Sequence, residues 1–238
     1  MAVFVRLKGR SDYGEVHRLQ AELVAQRAAG AIDDVVLLLE HAEVITLGRS
    51  KGAADSVLDA GGVPVVSIER GGDATWHGPG QLVAYPVVKL EGVRADLHLH
   101  LHSLEDAVIG WLADMGLEGH RDPRNTGVWL TDSDGVAQKV CSIGIACRRW
   151  VSWHGLALNL SPDPSGFARI RPCGFEADVM TRVADHLGWA PGVASSVPAL
   201  ARHLAATLDV PFDGEVLAVD GPGEVLSMML ERGPSTSG

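Results

Sequence analysis

The sequence has little cysteine, little lysine, few aromatic residues and no long apolar run, and each shortage excludes something. Three cysteines in 238 residues, Cys141, Cys147 and Cys173, form no C-x-x-C pair, so neither a disulfide framework nor a zinc knuckle is expected and reduced thiols are the default. The longest apolar stretches, such as 35–39, fall far short of the roughly 20 residues a membrane helix needs. An excess of positive charge is also missing. Thirty acidic residues against twenty basic ones leave a formal charge of -10, which opposes general binding to the nucleic-acid backbone. The first residues carry Arg6, Lys8 and Arg10 but no apolar core followed by a small-residue cleavage site, so no secretory signal is read and a cytoplasmic location is expected. Lysine occurs only at 8, 51, 89 and 139, which makes a lysine inside an apolar segment conspicuous.

What is present is ordinary for a folded chain. Hydrophobic residues make up 46% and charged residues 21%, so a core can form without a metal or disulfide staple. A helix is expected over 12–29, opened by Asp12 as its cap, with Val16, Leu19, Leu23 and Val24 at helical spacing. Strands are expected at 35–39, 44–47, 63–68 and 82–90, the last placed at an edge or a bulge by Pro86. A central helix over 96–116 follows from Leu97, Leu101, Leu104, Val108, Leu112 and Met115. Then come a strand at 126–130 and a long apolar segment, 139–160, broken near His154 and Gly155. Helices are expected over 175–188 and over 196–208, the second capped by Ser196. Several strands follow one another without an intervening helix, so the class is α+β, a mixed or antiparallel sheet with flanking helices, and not a doubly wound sheet. A single domain over residues 1–232 and a disordered tail at 233–238 are expected.

Chemistry concentrates in four places. The run Arg70-Gly71-Gly72-Asp73-Ala74-Thr75-Trp76-His77-Gly78-Pro79-Gly80-Gln81 combines glycines with polar side chains a plain turn does not need, and reads as a binding loop. No lysine follows its glycines as a phosphate loop requires. His98, His100 and His102 lie in a helical pattern that puts the first and third together and turns the second away, and a solvated helix face is expected in place of a metal site. Cys173, in Arg171-Pro172-Cys173-Gly174, sits in a sharp turn before a helix and is the reactive candidate among the thiols, a structural turn cysteine being the alternative. Lys139 opens an apolar strand. A lysine held against a low-dielectric wall gives up its proton more readily and serves as a base, or pairs with a thiolate; a surface lysine at a strand start is the plain alternative.

Together these residues resemble a known family. Arg70-Gly71-Gly72 with Thr75, His77-Gly78-Pro79-Gly80-Gln81-Leu82, Tyr85-Pro86, Lys139 with Ile143-Gly144, His154-Gly155-Leu156-Ala157-Leu158-Asn159 and Pro172-Cys173-Gly174 resemble, in order and spacing, the octanoyltransferases of lipoate biosynthesis. Tyr13 to Gln20, Leu39-Glu40-His41 and Thr46-Leu47-Gly48-Arg49 fit as well, so the likeness covers roughly residues 10 to 190. Asp73, Trp76 and Arg171 depart from the pattern, where Gln or Arg, Tyr and Asn are more usual.

The resemblance implies the fold shared by biotin and lipoate protein ligases. It implies transfer of an octanoyl chain from acyl carrier protein to a lysine of the lipoyl domains of 2-oxoacid dehydrogenases and of the glycine cleavage H protein, by a monomer that uses no ATP, cofactor or metal. Cys173 would be the nucleophile and Lys139 its partner, as a neutral base or a charged companion of the thiolate. Substrate binding would fall to Arg70, Gly71, Gly72, Asp73, Ala74, Thr75, Trp76 and His77, to Ser142, Ile143 and Gly144, and to Gly155, Leu156 and Ala157. The alternatives are an ATP-using ligase on the same fold, or an inactive module that binds an acyl chain or its carrier. Because carriers and lipoyl domains of this pathway are generally acidic, a local basic patch is expected near the site, with Arg148, Arg149, Arg169 and Arg171 as candidates.

Overall fold

Every residue from 35 to 39 is apolar because the strand they form is covered on both faces. In the computed structural model, which describes residues 1–171 and 177–235, that strand, β2 (Val35–His41), lies inside an eight-stranded mixed sheet. On one side it pairs in parallel with β1 (Val3–Ser11), which pairs in parallel with the edge strand β11 (Val216–Val219). On the other side the sheet is antiparallel, through β6 (Gln81–Val87), β10 (Val151–Asn159), β9 (Ala137–Arg148), β8 (Asn125–Thr131) and β7 (His120–Asp122).

Alternation along β2 divides the core. Val35, Leu37 and Leu39 meet α1 (Tyr13–Ala28) and α5 (Pro222–Arg232), while Val36 and Leu38 meet α2 (Leu97–Asp114) and α4 (Val193–Thr207). A second, three-stranded sheet has β3 (Val44–Leu47) between β4 (Val65–Ser67) and β5 (Ala74–His77), over a small cluster that includes Ile45, Trp76 and Phe167. Helix starts follow the local chemistry. The Asp12 carboxylate accepts from the Glu15 amide at 2.9 Å, and Asp96 accepts from the amides of His98 and Leu99 at 2.8 and 3.2 Å. The α+β class read from the sequence is the observed one.

Several local expectations give way to tertiary context. Pro86 is not at an edge: β6 is flanked by β2 and β10, and Pro86 faces the place where β10 departs from regular pairing, at His154 (φ 57°) and Gly155 (φ 157°). The missing amide of Pro86 is therefore harmless there. The segment 139–160 breaks at Arg149-Trp150, not at His154, in a tight hairpin whose two central residues both have positive φ, 52° and 60°. Neither residue type announces such a turn. No helix spans 175–188: among the described residues a short turn at Ala177–Val179 precedes a bridge between Met180 and Lys139, and only α3 (Val183–Leu187) is helical. Pairing with β9 overrides the periodic pattern. Helix α4 begins at Val193, earlier than expected, and Ser196 bonds the Gly192 carbonyl at 2.8 Å and so is not the cap. The strands β1, β5, β7 and β11 and helix α5 were not anticipated. Of the expected tail, Ser235 bonds the Asp33 carboxylate at 2.5 Å, and residues 236–238 lie outside the described residues.

Candidate active site

A cleft of about 390 Å³ opens where the glycine-rich segment between β4 and β5 meets β9, β10 and the first turns of α1 and α2. Its size suits a small ligand. Arg70, Gly71, Gly72, Asp73, Ala74, Thr75 and His77 form one wall, Ser142, Ile143 and Gly144 the second, and Gly155, Leu156 and Ala157 the floor. Lys139 lies at the same cleft. Trp76 does not line it. Its indole is buried on the other side of β5, edge-on to Phe167 with ring centroids 5.1 Å apart, so it shapes the core beneath the wall and touches no ligand space.

Arg70 is buried although charged, because its guanidinium is satisfied locally. Nη2 donates to the carbonyl and hydroxyl of Thr46, both at 3.0 Å, and Nη1 donates to the Gly71 carbonyl at 3.1 Å. The Gly71 amide donates to the Ile145 carbonyl at 2.9 Å, tying the loop to β9. Asp73 is held at the rim, its carboxylate accepting from the Ser56 hydroxyl at 2.9 Å and from the Ala74 amide at 2.8 Å.

Lys139 is only 4% exposed. Its ammonium donates to the Asn125 side-chain carbonyl and stands 5.8 Å from the centre of the Trp129 ring. Room for its stem exists because position 127 is glycine, at φ 134°: a Cβ there would come within 2.6 Å of Lys139 Cε and 2.3 Å of the Cys141 carbonyl oxygen. Beneath the cleft runs a chain of neutral hydrogen bonds. His77 Nδ1 lies 3.2 Å from Gln81 Oε1; Gln81 Nε2 donates to Asn159 Oδ1 at 3.0 Å; Asn159 Nδ2 donates to the Thr181 carbonyl; and the Thr181 amide donates to the Lys139 carbonyl, each at 3.0 Å. With Nδ1 carrying the proton toward Gln81, His77 keeps a lone pair on Nε2. Burial first, and then the neighbouring His41, which would repel a second proton, and the Arg70 charge, hold its pKa well below the usual histidine value.

Cys173, with Pro172 and Gly174, lies outside the described residues. The other two thiols are poor nucleophiles. Burial pushes Cys141 up to about 12 and raises Cys147 as well. Of the three alternating histidines, His98 and His102 are exposed, as expected, with His98 at the cleft rim and His102 bonding Glu105 at 2.9 Å, while His100 is turned inward and buried in neutral form, its pKa lowered to about 4 by burial. Arg148 and Arg149 do not line the cleft: they close the end of β9 about 10 Å along the strand from Ile145 and roughly 30 Å from Lys139, at about 3.3 Å per residue. Arg171 is nearer, since its amide donates to the carbonyl of Ser56, the residue that holds Asp73. Arg169 reaches back to the Ala60 carbonyl at 3.2 Å.

Residues that sequence reasoning left out also line the cleft, among them Tyr13, Ile68, Tyr85, Leu97, Leu101 and Asn125. Leu97 and Leu101 had the periodicity of core residues, which a ligand wall shares. Asn125 carries no sequence mark at all.

Comparison with known proteins supplies the family and the fold. Residues 12–205 match the family model of the lipoyl protein ligase A/B catalytic domain. The octanoyltransferase of Rubrobacter xylanophilus is 46% identical over 190 residues, covering 77% of this chain and 83% of its own. That of Chloroflexus aurantiacus is 42% identical over 230 residues, covering 94% and 98%. In fold, the bipartite lipoate protein ligase of Thermoplasma acidophilum superposes with a TM-score of 0.71 at 16% identity, covering 98% of this chain and 93% of its own. A lipoate-protein ligase A bound with ATP gives 0.66 at 14% identity, covering 97% and 95%.

Proposed function

Because this chain belongs to the lipoyl protein ligase A/B catalytic family, and within it to the octanoyltransferases, we propose that it carries an octanoyl group from acyl carrier protein to a lipoyl-domain lysine through a thioester on Cys173, without ATP. The donor is already an activated thioester. The Cys173 thiolate adds to its carbonyl carbon, the carrier's thiolate leaves and takes a proton, and the acyl-enzyme keeps the energy of the bond broken. The acceptor lysine, as a neutral amine, then adds to that carbonyl, and the Cys173 thiolate leaves as the amide forms. One proton must be removed in each half.

Lys139 is the group on which the proton assignment rests. It is a buried lysine at the cleft, with Asn125 as an acceptor to orient it, and the Ile143, Ile145 and Leu156 side chains close by form an apolar bed for the acyl chain. The acceptors would be lipoyl domains of 2-oxoacid dehydrogenases and the glycine cleavage H protein, and the enzyme would act as a cytoplasmic monomer. Among the described residues no helix is long and apolar enough to cross a membrane.

Intact mass after mixing with octanoyl-acyl carrier protein, with ATP left out, tests the reading. One octanoyl group is expected, and peptide mapping should place it on Cys173; Cys173→Ser should take no acyl thioester and nearly abolish turnover. An absolute need for ATP would assign the chain to ligase chemistry, and acyl on Cys141 or Cys147 alone would remove Cys173 from the mechanism.

A further inference from the structure

We propose that His17, Glu69 and His154 form a binding site for a divalent cation of the zinc class at the mouth of the cleft. Three separate elements bring them together: His17 comes from α1, Glu69 from the segment between β4 and the glycine-rich loop, and His154 from β10. One ligand atom from each lies within 4.8 Å of the others. His17 Nε2 is 2.9 Å from Glu69 Oε2, and His154 Nε2 is 3.8 Å from the same oxygen. Two bonds of about 2.0 to 2.1 Å at a tetrahedral angle set ligand atoms roughly 3.3 Å apart. These two spacings straddle that value and the third pair lies within 4.8 Å, so the solvent-reachable His17 and Glu69 side chains need shift by no more than about 1.5 Å toward the fixed His154 ring.

His154 supplies an independent sign. The residue is 2% exposed, and neither ring nitrogen has a hydrogen-bond partner among the described residues. A buried imidazole normally finds one. Its backbone also occupies the left-handed region at φ 57°, unusual for a non-glycine residue, and is fixed there by its amide donating to Gln20 Oε1 at 2.9 Å. The ring is pinned as well, stacked on Trp153 with centroids 4.4 Å apart and facing His17 at 5.9 Å. Burial keeps it neutral, with a lone pair to offer. Glu69 and His17 are reachable from solvent, which provides the entry path.

Two imidazoles and one carboxylate suit zinc or cobalt better than calcium or magnesium, which prefer all-oxygen sets, and three protein ligands leave a further position for water. An ion there would tie α1 and the segment leading to Arg70 onto β10, beside Gly155 in the cleft floor. Binding and acyl transfer are separate properties, so the test reads binding alone.

The full chain, stripped with chelator and desalted, is titrated with Co²⁺ while its visible absorption is followed, and with Zn²⁺ by calorimetry. One equivalent is expected, with a low-coordinate cobalt spectrum free of sulfur-to-metal charge transfer and a melting temperature that rises with Zn²⁺ concentration. His17→Ala and Glu69→Gln, both at solvent-reachable positions, should each weaken binding by about 100-fold or more, whereas His120→Ala with His203→Ala should leave it unchanged. Absence of a one-to-one complex, a cysteine band in the cobalt spectrum, or affinity retained in both His17→Ala and Glu69→Gln overturns the site.

Discussion

Lys139 reaches the cleft only because residue 127 has no side chain. The lysine stem fills the space a Cβ would claim, and Asn125 two residues earlier on β8 accepts from its ammonium. Sequence showed the lysine as an anomaly, one of four, in an apolar segment. It could not show the pairing of β8 with β9 that makes Gly127 and Asn125 its neighbours. Substituting Lys139→Arg keeps the charge but not the chemistry, because guanidinium effectively never deprotonates. Loss of turnover by at least ~100-fold is expected, on the scale typical of a general base. Stopped assays should show both acylation from octanoyl-acyl carrier protein and transfer to the lipoyl domain slowed; near wild-type rates would leave Lys139 an electrostatic companion of the thiolate. Trp76 teaches the converse. It sits among binding residues in the sequence, yet alternation along β5 turns it into the core behind them.

Among elements, those most legible in the sequence were the ones whose pattern had one physical cause. The uniform apolar run of β2 meant two covered faces, and Asp12 and Asp96 marked the starts of α1 and α2 by satisfying first-turn amides. Elements set by distant partners were not legible. The hairpin between β9 and β10 turns on Arg149 and Trp150 where Asn-Gly would be the natural choice, and residues 180–181 run extended because they pair with Lys139 rather than because of their own composition. The cleft was legible through its motifs, while its apolar wall on α2 was hidden behind a periodicity that also describes a core. The hairpin offers a clean test of stored strain. Two L-residues in the left-handed region cost roughly 1–2 kcal/mol each, and the Trp150 side chain is half exposed, while its backbone carbonyl accepts from the Leu90 amide at 2.7 Å and its backbone amide bonds Cys147, contacts a glycine would keep. The double substitution R149N and W150G is therefore expected to raise unfolding free energy by about 1–2 kcal/mol in urea titration. Since neither residue of the turn lines the cleft, KM for octanoyl-acyl carrier protein should stay the same.

For the whole molecule, the charge of -10 and the buried histidines act on different properties. An acidic carrier of the kind the proposed function calls for would be repelled at long range unless that charge were offset near the cleft, and Arg171, exposed and one backbone bond from the residue that holds Asp73, is better placed for that than the hairpin arginines. Arg171→Glu should raise KM for octanoyl-acyl carrier protein and leave transfer from a small octanoyl thioester unaltered; equal loss with both donors would place Arg171 in the pocket or the fold. The histidines govern acid stability. His41, whose Nδ1 faces the Ser11 carbonyl at 3.2 Å while Nε2 accepts from the Tyr85 hydroxyl at 2.9 Å, and His100, on the buried face of α2, are both held neutral by burial, each with a pKa near 4 against 6.5 for the free side chain. In the unfolded chain both take up a proton as pH falls through 6.5, while the folded protein does so only near 4. The unfolded state thus binds more protons across that window, so stability is full above pH 6.5 and declines as pH drops toward 4. Because His100 Nε2 has no hydrogen-bond partner among the described residues, its ring is the one to replace. His100→Leu should flatten the slope of unfolding free energy against pH by up to one proton, at little cost near neutrality, in urea titrations repeated across the window. An unchanged slope would show that His100 titrates normally in the folded protein and is not held neutral by burial.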